Sequence, residues 1–201
     1  MGQRTFIEAV KHRRSYYAIN HQSPLSAEQI EQLINDAVLY LPSAFNSQSA
    51  RVVLLLGKHH ARLWEIVKDT LRKIVPPAAF GKTEAKINGS FASGHGTILF
   101  YEEQLIVEEM QKAFPTYADN FPVWSQHTSA IHQFTIWTML EDAGLGASLQ
   151  HYNPLIDAQV AQEFMIPDTW KLIAQMPFGV PVAEPGPKEF ESLAKRVKIF
   201  K

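Results

Sequence analysis

The sequence predicts a layered α/β protein built around one core, and three observations carry that prediction. Amphipathic helical segments alternate with short apolar runs of strand length along the whole chain. No internal repeat, low-complexity stretch or linker divides the 201 residues, and chains under about 250 residues commonly share a single core. The composition, 46% hydrophobic and 19% charged, is that of an ordinary globular chain rather than a disordered one.

The elements follow in order. Thr5 and Glu8 form a capping box that opens a short helix running into His12-Arg13-Arg14. Ser26 and Gln29 repeat the device, and Ile30, Leu33, Ile34, Ala37, Val38 and Leu41 behind them make one apolar stripe, stopped by Pro42. After a polar loop, Arg51 to Gly57 reads as a buried strand. A helix from about His60 carries Leu63, Trp64, Val67, Leu71 and Ile74 and ends at Pro76-Pro77. The stretch from Ala78 to Gly96 shows no clear period beyond a turn at Asn88-Gly89. Thr97 to Tyr101 is a strand, Glu102 to Ala113 a short helix and Phe114 to Phe121 a loop. Val123 to Ala143 is the longest helix, apolar around much of its circumference and therefore expected in the centre of the molecule. Gly144 suits the left-handed end of that helix. Ala147 to Gln150 reads as a short strand, Asn153-Pro154 as a turn, Asp157 as the cap of a helix through Phe164, and Trp170 to Met176 as a strand. Past Pro177 the chain is polar and proline-rich.

Composition removes several functions. A formal net charge of −1 gives no basic excess for nucleic acid. The absence of cysteine excludes disulfide scaffolds, thiolate metal sites and cysteine nucleophiles. The first fifteen residues lack the apolar core of a signal peptide, and no run reaches the roughly 18 apolar residues of a membrane span, so the expected location is cytoplasmic. The eight histidines show no HExxH pattern and no recurrent carboxylate at ligand spacing, so no metal site is expected. Gly94-His95-Gly96 precedes a strand and Gly144-Leu145-Gly146 ends a helix, whereas a dinucleotide fingerprint follows a strand and opens a helix. No GxSxG elbow is present.

A different constellation remains. His12-Arg13-Arg14-Ser15-Tyr16-Tyr17 presents two guanidinium forks, a hydroxyl and aromatic rings just past a helix end. Guanidinium groups match phosphate oxygens bidentately. Lys195-Arg196 adds cations near the C-terminus. Between them, Leu41 to Gln48 offers amides and hydroxyls beside a buried strand, a composition suited to the edge of a flat heterocycle.

At these residues the chain resembles the nitroreductase family. That family opens with a short helix and an R-x-S-x-R type motif, where this chain has Arg13-Arg14-Ser15-Tyr16-Tyr17. It then carries a P-S-x-x-N-x-Q-P-W type loop before its first core strand, where this chain has Pro42-Ser43-Ala44-Phe45-Asn46-Ser47-Gln48. Glu141 to His151 matches the helix that ends in a glycine pair and leads to a flavin-facing strand, and Lys195 and Arg196 match the terminal basic pair. Lys188 and Lys198 compete with Lys195 for the lysine role. Tyr17 stands where the family has its second arginine and Ser49-Ala50 where it has Pro-Trp. These departures, with the short chain, are similar to the compact fatty-acid-repression-like branch.

The resemblance implies an α+β nitroreductase-type fold over residues 1–201, with a mixed, mainly antiparallel sheet flanked by helices. It implies an intertwined homodimer in which a tail from about residue 181 to 201 extends over the partner. It implies bound FMN contacted by Arg13, Arg14, Ser15, Tyr17, Pro42, Ser43, Asn46, Gln48, Leu149, Gln150, His151, Lys195 and Arg196, some of them from the other subunit. The implied reaction is ping-pong transfer from NAD(P)H to nitroaromatic, quinone or related acceptors, with hydride carried by the flavin N5 and no catalytic side chain. Phe114, Tyr117, Phe121 and Trp124 are candidate walls for a small aromatic acceptor. The alternative is a non-catalytic flavin-binding regulator linked to lipid or stress responses.

Overall fold

The computed structural model describes residues 4–201. The first three residues of the N-terminal segment considered above lie outside the described residues. The chain runs through α1 (Phe6–His12), β1 (Ile19–Asn20), α2 (Ala27–Tyr40), β2 (Ala50–Leu56), α3 (Gly57–Arg72), α4 (Pro77–Ile87) and β3 (Gly96–Glu103). It continues through α5 (Gln104–Ala113), α6 (Phe121–Asp142), β4 (Gly146–Ala147), α7 (Asp157–Phe164), β5 (Trp170–Pro181) and α8 (Leu193–Arg196). No helix among the described residues is long and apolar enough to cross a membrane.

The caps form as their spacing dictates. Glu8 Oε2 accepts from the Thr5 N–H at 2.8 Å and the Thr5 hydroxyl at 2.7 Å. Ser26 and Gln29 satisfy each other reciprocally, at 2.8 and 3.3 Å. Gly144 takes the left-handed conformation, with φ of 84°, immediately after α6.

The strands make a mixed α+β architecture with an antiparallel sheet in the order β1-β5-β3-β2, β4 pairing with β5 as well. A parallel bridge joins Ser15 to Ala147. Alternation along β3 divides the core in two. Ile98 and Phe100 pack with Ala174, Met176 and Phe178 of β5 against Ile30, Ile34, Ile136 and Leu140 of α2 and α6. Leu99 and Tyr101 face the other way, onto Leu63, Trp64 and Val67 of α3 and Val160 of α7.

Thr97 organises a polar relay on this second face. The Trp64 indole N–H donates to the Thr97 hydroxyl oxygen (3.0 Å), the hydroxyl donates to His60 Nδ1 (2.8 Å), and His60 Nε2–H donates to the Ala92 carbonyl (3.2 Å). Burial holds the His60 pKa below its ordinary value.

Several expectations are corrected. The unassigned stretch is α4, which continues through a π-type turn over Asn88–Ala92, because Phe80, Ile87 and Phe91 bury one face at helical spacing. Glu102 belongs to β3, and α5 starts at Gln104, after Glu103 accepts from the Leu105 N–H at 3.2 Å. The expected loop at 114–121 is a 3-10 turn over Pro115–Asn120. β5 continues through Pro177, whose carbonyl accepts from the Ser148 N–H, to Pro181. Asp157 is the first residue of α7 rather than its cap.

α6 meets the sheet on one side yet leaves Val123, Ile131 and Phe134 exposed. Past Ala183 the chain turns Phe190, Leu193, Val197, Ile199 and Phe200 outward.

Candidate functional site

The first part of the site is the segment after α1. Tyr16 N–H donates to the Ala147 carbonyl at 3.0 Å, which lays Ser15 and Tyr16 along β4. The approach is close: a Cβ built on Gly146 would meet Tyr16 Cβ and Cγ at 2.8 Å, so only glycine lets the two segments touch here. Arg13 leaves the helix with its guanidinium over the Trp137 ring, 4.3 Å from the centroid. Arg14 Nη2 donates to the Gly186 carbonyl at 2.7 Å. Buried Tyr16 donates its hydroxyl to Glu184 Oε2 at 3.2 Å, and burial with the nearby carboxylate raises its pKa. Arg13, Arg14, Ser15 and Tyr17 line a cleft of about 590 Å³ with residues 183–188, including Lys188. Three cations and a hydroxyl outnumber the one carboxylate, Glu184, around this cleft, a net positive set that fits a phosphate group.

Leu149, Gln150 and His151 follow β4 directly and so belong to the same neighbourhood. Gln150 exchanges backbone hydrogen bonds with Gln175 of β5, at 2.7 and 2.9 Å. Gln175 is fully buried, and its amide accepts from the Tyr152 N–H (2.8 Å) and donates to Asn153 Oδ1 (3.2 Å).

The loop Pro42 to Gln48 lies elsewhere. It winds through a 3-10 turn with Phe45, Asn46 and Gln48 at φ of 55°, 52° and 52°, left-handed conformations unusual for residues other than glycine. The Gln48 N–H closes the turn on Ser43 Oγ at 2.9 Å. Phe45 stacks on Trp124 (5.8 Å, 19° between planes) and packs on Phe114, Tyr117 and Phe121 at 4.8, 5.8 and 5.4 Å. A cleft of about 400 Å³ opens beside it, lined by Pro42, Ser43, Phe45, Trp124, His127 and Ile131 among others.

At the junction of this loop with β2, Ser49 donates its hydroxyl to Glu102 Oε2 at 2.6 Å. Burial pushes the Glu102 carboxyl up to about 7, against the Ser49 hydrogen bond and the Arg51 charge, which pull it down.

Arg13, Arg14, Ser15 and Tyr17 are thus adjacent to the segment bearing Leu149, Gln150 and His151, while Pro42, Ser43, Asn46 and Gln48 occupy a different part of the protomer. Trp137, under Arg13, and Trp124, under Phe45, are thirteen residues apart on α6, about 20 Å along its axis. Lys195 and Arg196 lie in exposed α8, where Lys195 pairs with Glu191 at 2.9 Å, and Lys188 rather than either of them lines the cationic cleft. Phe45, Glu102 and Gln175 escaped the sequence reading. Phe45 is one ring in a polar loop, and the other two lie in stretches read as a helix start and as a plain strand.

Known proteins resemble this chain over nearly its whole length. Residues 10–180 match the family model "Nitroreductase family". Nitroreductase FRM2 of Saccharomyces cerevisiae is 32% identical over 187 residues, 92% of this chain and 92% of the relative. Nitroreductase CinD from Lactococcus lactis, solved with nicotinic acid, superposes with a TM-score of 0.90 at 43% identity, covering 98% of this chain and all of that one. CinD has also been solved with 4-nitrophenol and with chloramphenicol. A protein from Exiguobacterium sibiricum solved with FMN shares the fold, with a TM-score of 0.70 at 15% identity over 100% of this chain and 99% of that one. By sequence over nearly its whole length and by fold, the chain belongs to the nitroreductase family and is an oxidoreductase.

Proposed function

We propose that the chain works as a homodimeric FMN oxidoreductase that passes reducing equivalents from NAD(P)H to small aromatic acceptors such as nitroaromatics and quinones by a ping-pong mechanism. The observation that carries the reading is the cleft in which Arg13, Arg14, Ser15 and Lys188 converge beside the Ala147–His151 segment. When bound, FMN supplies the centre that takes up and gives back hydride. Arg13, kept in place by Trp137, and Arg14 neutralise the phosphate, and the Ser15 hydroxyl donates to it. Leu149, Gln150 and His151 border the ring system, with Gln150 held by Gln175. Tyr17, exposed at the same cleft, packs alongside. Lys195 and Arg196 lie in the tail that reaches over the partner.

The dimer supplies the remaining contacts. Pro42, Ser43, Asn46 and Gln48 lie too far along α6 to serve their own protomer's cationic cleft, and a two-fold copy brings them in from the other chain. The exposed apolar residues of α6 and of the tail give that copy a surface to cover. The Phe45 aromatic cluster then walls the acceptor site, in keeping with the aromatic ligands of CinD.

Purified protein is expected to carry flavin absorbance and to gain melting temperature on addition of FMN. A colourless protein indifferent to FMN would overturn the reading. Arg14→Ala is expected to weaken FMN binding about tenfold or more with little change in folding, because a charge-assisted bond is lost from a half-buried side chain outside the core. Oxidation of NAD(P)H with a nitroaromatic or quinone separates this enzyme from a flavin-binding regulator, which would show no turnover.

A further inference from the structure

Along β3 the face toward α2 and α6 is apolar at Ile98 and Phe100, and the next residue on that face is Glu102. Its side chain is fully buried. Oε2 accepts the Ser49 hydroxyl, and Oε1 has no partner among the described residues. Arg51 is the cation whose charge reaches it, yet Arg51 Nη1 is committed to the carbonyls of Gln48 (2.8 Å) and Ala50 (2.9 Å). A carboxyl buried with so little compensation is destabilising, and an apolar residue of similar volume would avoid that cost.

The cost falls at one place. Glu102 lies opposite Ala50 in the β2–β3 ladder, where the Pro42–Gln48 loop enters the sheet. Ser49 is gripped twice there, through its hydroxyl by Glu102 and through its carbonyl by the Glu103 N–H at 2.8 Å. Ahead of it stand the left-handed residues Phe45, Asn46 and Gln48, a conformation that persists only where the surroundings over-determine it. The bonds inside the loop, Gln48 N–H to Ser43 Oγ and Ser47 N–H to the Ala44 carbonyl, close it on itself without tying it to the sheet. Ser49 is one of the two positions where the chain departs from the Pro-Trp pattern, and the departure supplies the hydroxyl that Glu102 holds.

We propose that Glu102 is a positioning residue: by gripping the Ser49 hydroxyl it holds the strained Pro42–Gln48 loop, and with it Asn46 and Gln48, in the geometry that meets the flavin. The proposal rests on the FMN reading above, and its test separates the two. Hydrogen exchange over residues 43–49 is measured in the intact protein without added cofactor, and FMN affinity and the visible spectrum of bound FMN are measured in parallel. Ser49→Ala removes one hydroxyl, Glu102→Leu removes the acceptor, and Glu102→Gln keeps an oxygen that can accept.

Ser49→Ala and Glu102→Leu are expected to speed exchange in 43–49 about tenfold over the rest of the chain. They are also expected to weaken FMN binding about tenfold and to shift its bound spectrum toward that of free FMN. Glu102→Gln is expected to restore all three. Should Glu102→Leu fail to fold, Ser49→Ala and Glu102→Gln carry the test. Exchange in 43–49 unchanged by Ser49→Ala, or a Glu102→Gln protein as loose there as Ser49→Ala, would overturn the proposal. A parent that takes up no FMN would overturn the FMN reading alone, since the exchange data still decide whether Glu102 holds the loop.

Discussion

The Pro42–Gln48 loop and the Leu149–Asn153 segment are both irregular and both carry proposed flavin contacts, but they are fastened by opposite chemistry. Gln175 secures the second with a neutral amide. Its oxygen accepts the Tyr152 N–H, its nitrogen donates to Asn153, and its backbone pairs with Gln150. Glu102 secures the first with a carboxyl that has one oxygen engaged and one orphaned. A buried amide with its partners in place holds its segment alike at any pH. A buried carboxyl ties its loop to the state of a proton.

Three experiments sharpen or break that contrast. The largest effect is expected from Gln175→Leu, which deprives the half-buried Tyr152 N–H and Asn153 side chain of their partner. A loss of about 2–4 kcal/mol in denaturant unfolding is expected; under about 1 kcal/mol, the amide is no clamp.

Next is the pH dependence of Glu102, whose carboxyl is raised from 4.5 to about 7 by burial. The folded state binds this proton more tightly than the unfolded chain, so the stabilisation is complete below the unfolded value and is lost as pH rises through the folded one. Between pH 4.5 and about 7 the parent should therefore gain stability over Glu102→Gln as pH falls, by about 1 kcal/mol per pH unit. Parallel unfolding curves for the two proteins would show that Glu102 titrates normally. No such slope is expected from the Gln175 variant relative to the parent.

The smallest effect is expected from Gln48→Gly. Glycine takes φ of 52° without strain while the backbone N–H keeps its bond to Ser43, so thermal unfolding should show a gain of roughly 0.5–1 kcal/mol. A loss would mean that the Gln48 side chain matters more to the loop than its backbone strain.

How far the sequence revealed these features follows from the range of each interaction. Caps, the α2 stripe and the apolar strands are local, written in residues three or four apart, and they form as read. Arg13 and Ser15 could be singled out because cations and hydroxyls after a helix end are a compositional signal. The seat of Ser15 on Ala147 could not be, because it depends on a contact across more than a hundred residues that Gly146 permits. α4 was hidden because its buried faces are spaced by seven and four residues with polar and small residues between. Glu102 was misread because a glutamate before a helix looks like part of its first turn. It is buried, and its partner Ser49 stands 53 residues away in sequence, beyond any local window.

The Thr97 relay has a further consequence. The Ala92 carbonyl can only accept, which puts a hydrogen on Nε2, and burial favours the neutral ring, which leaves Nδ1 to accept from the Thr97 hydroxyl. A second proton would sit on Nδ1 and force the Thr97 hydroxyl to turn its own hydrogen away, at a ring whose burial already disfavours the charge. His60 and His132, both held low by burial, therefore tilt stability upward as pH rises through the ordinary histidine range. Glu102 and Asp157, both held high by burial, tilt it downward as pH rises through their raised values. The two imidazoles and the two carboxyls thus pull the stability of the fold in opposite directions as pH changes.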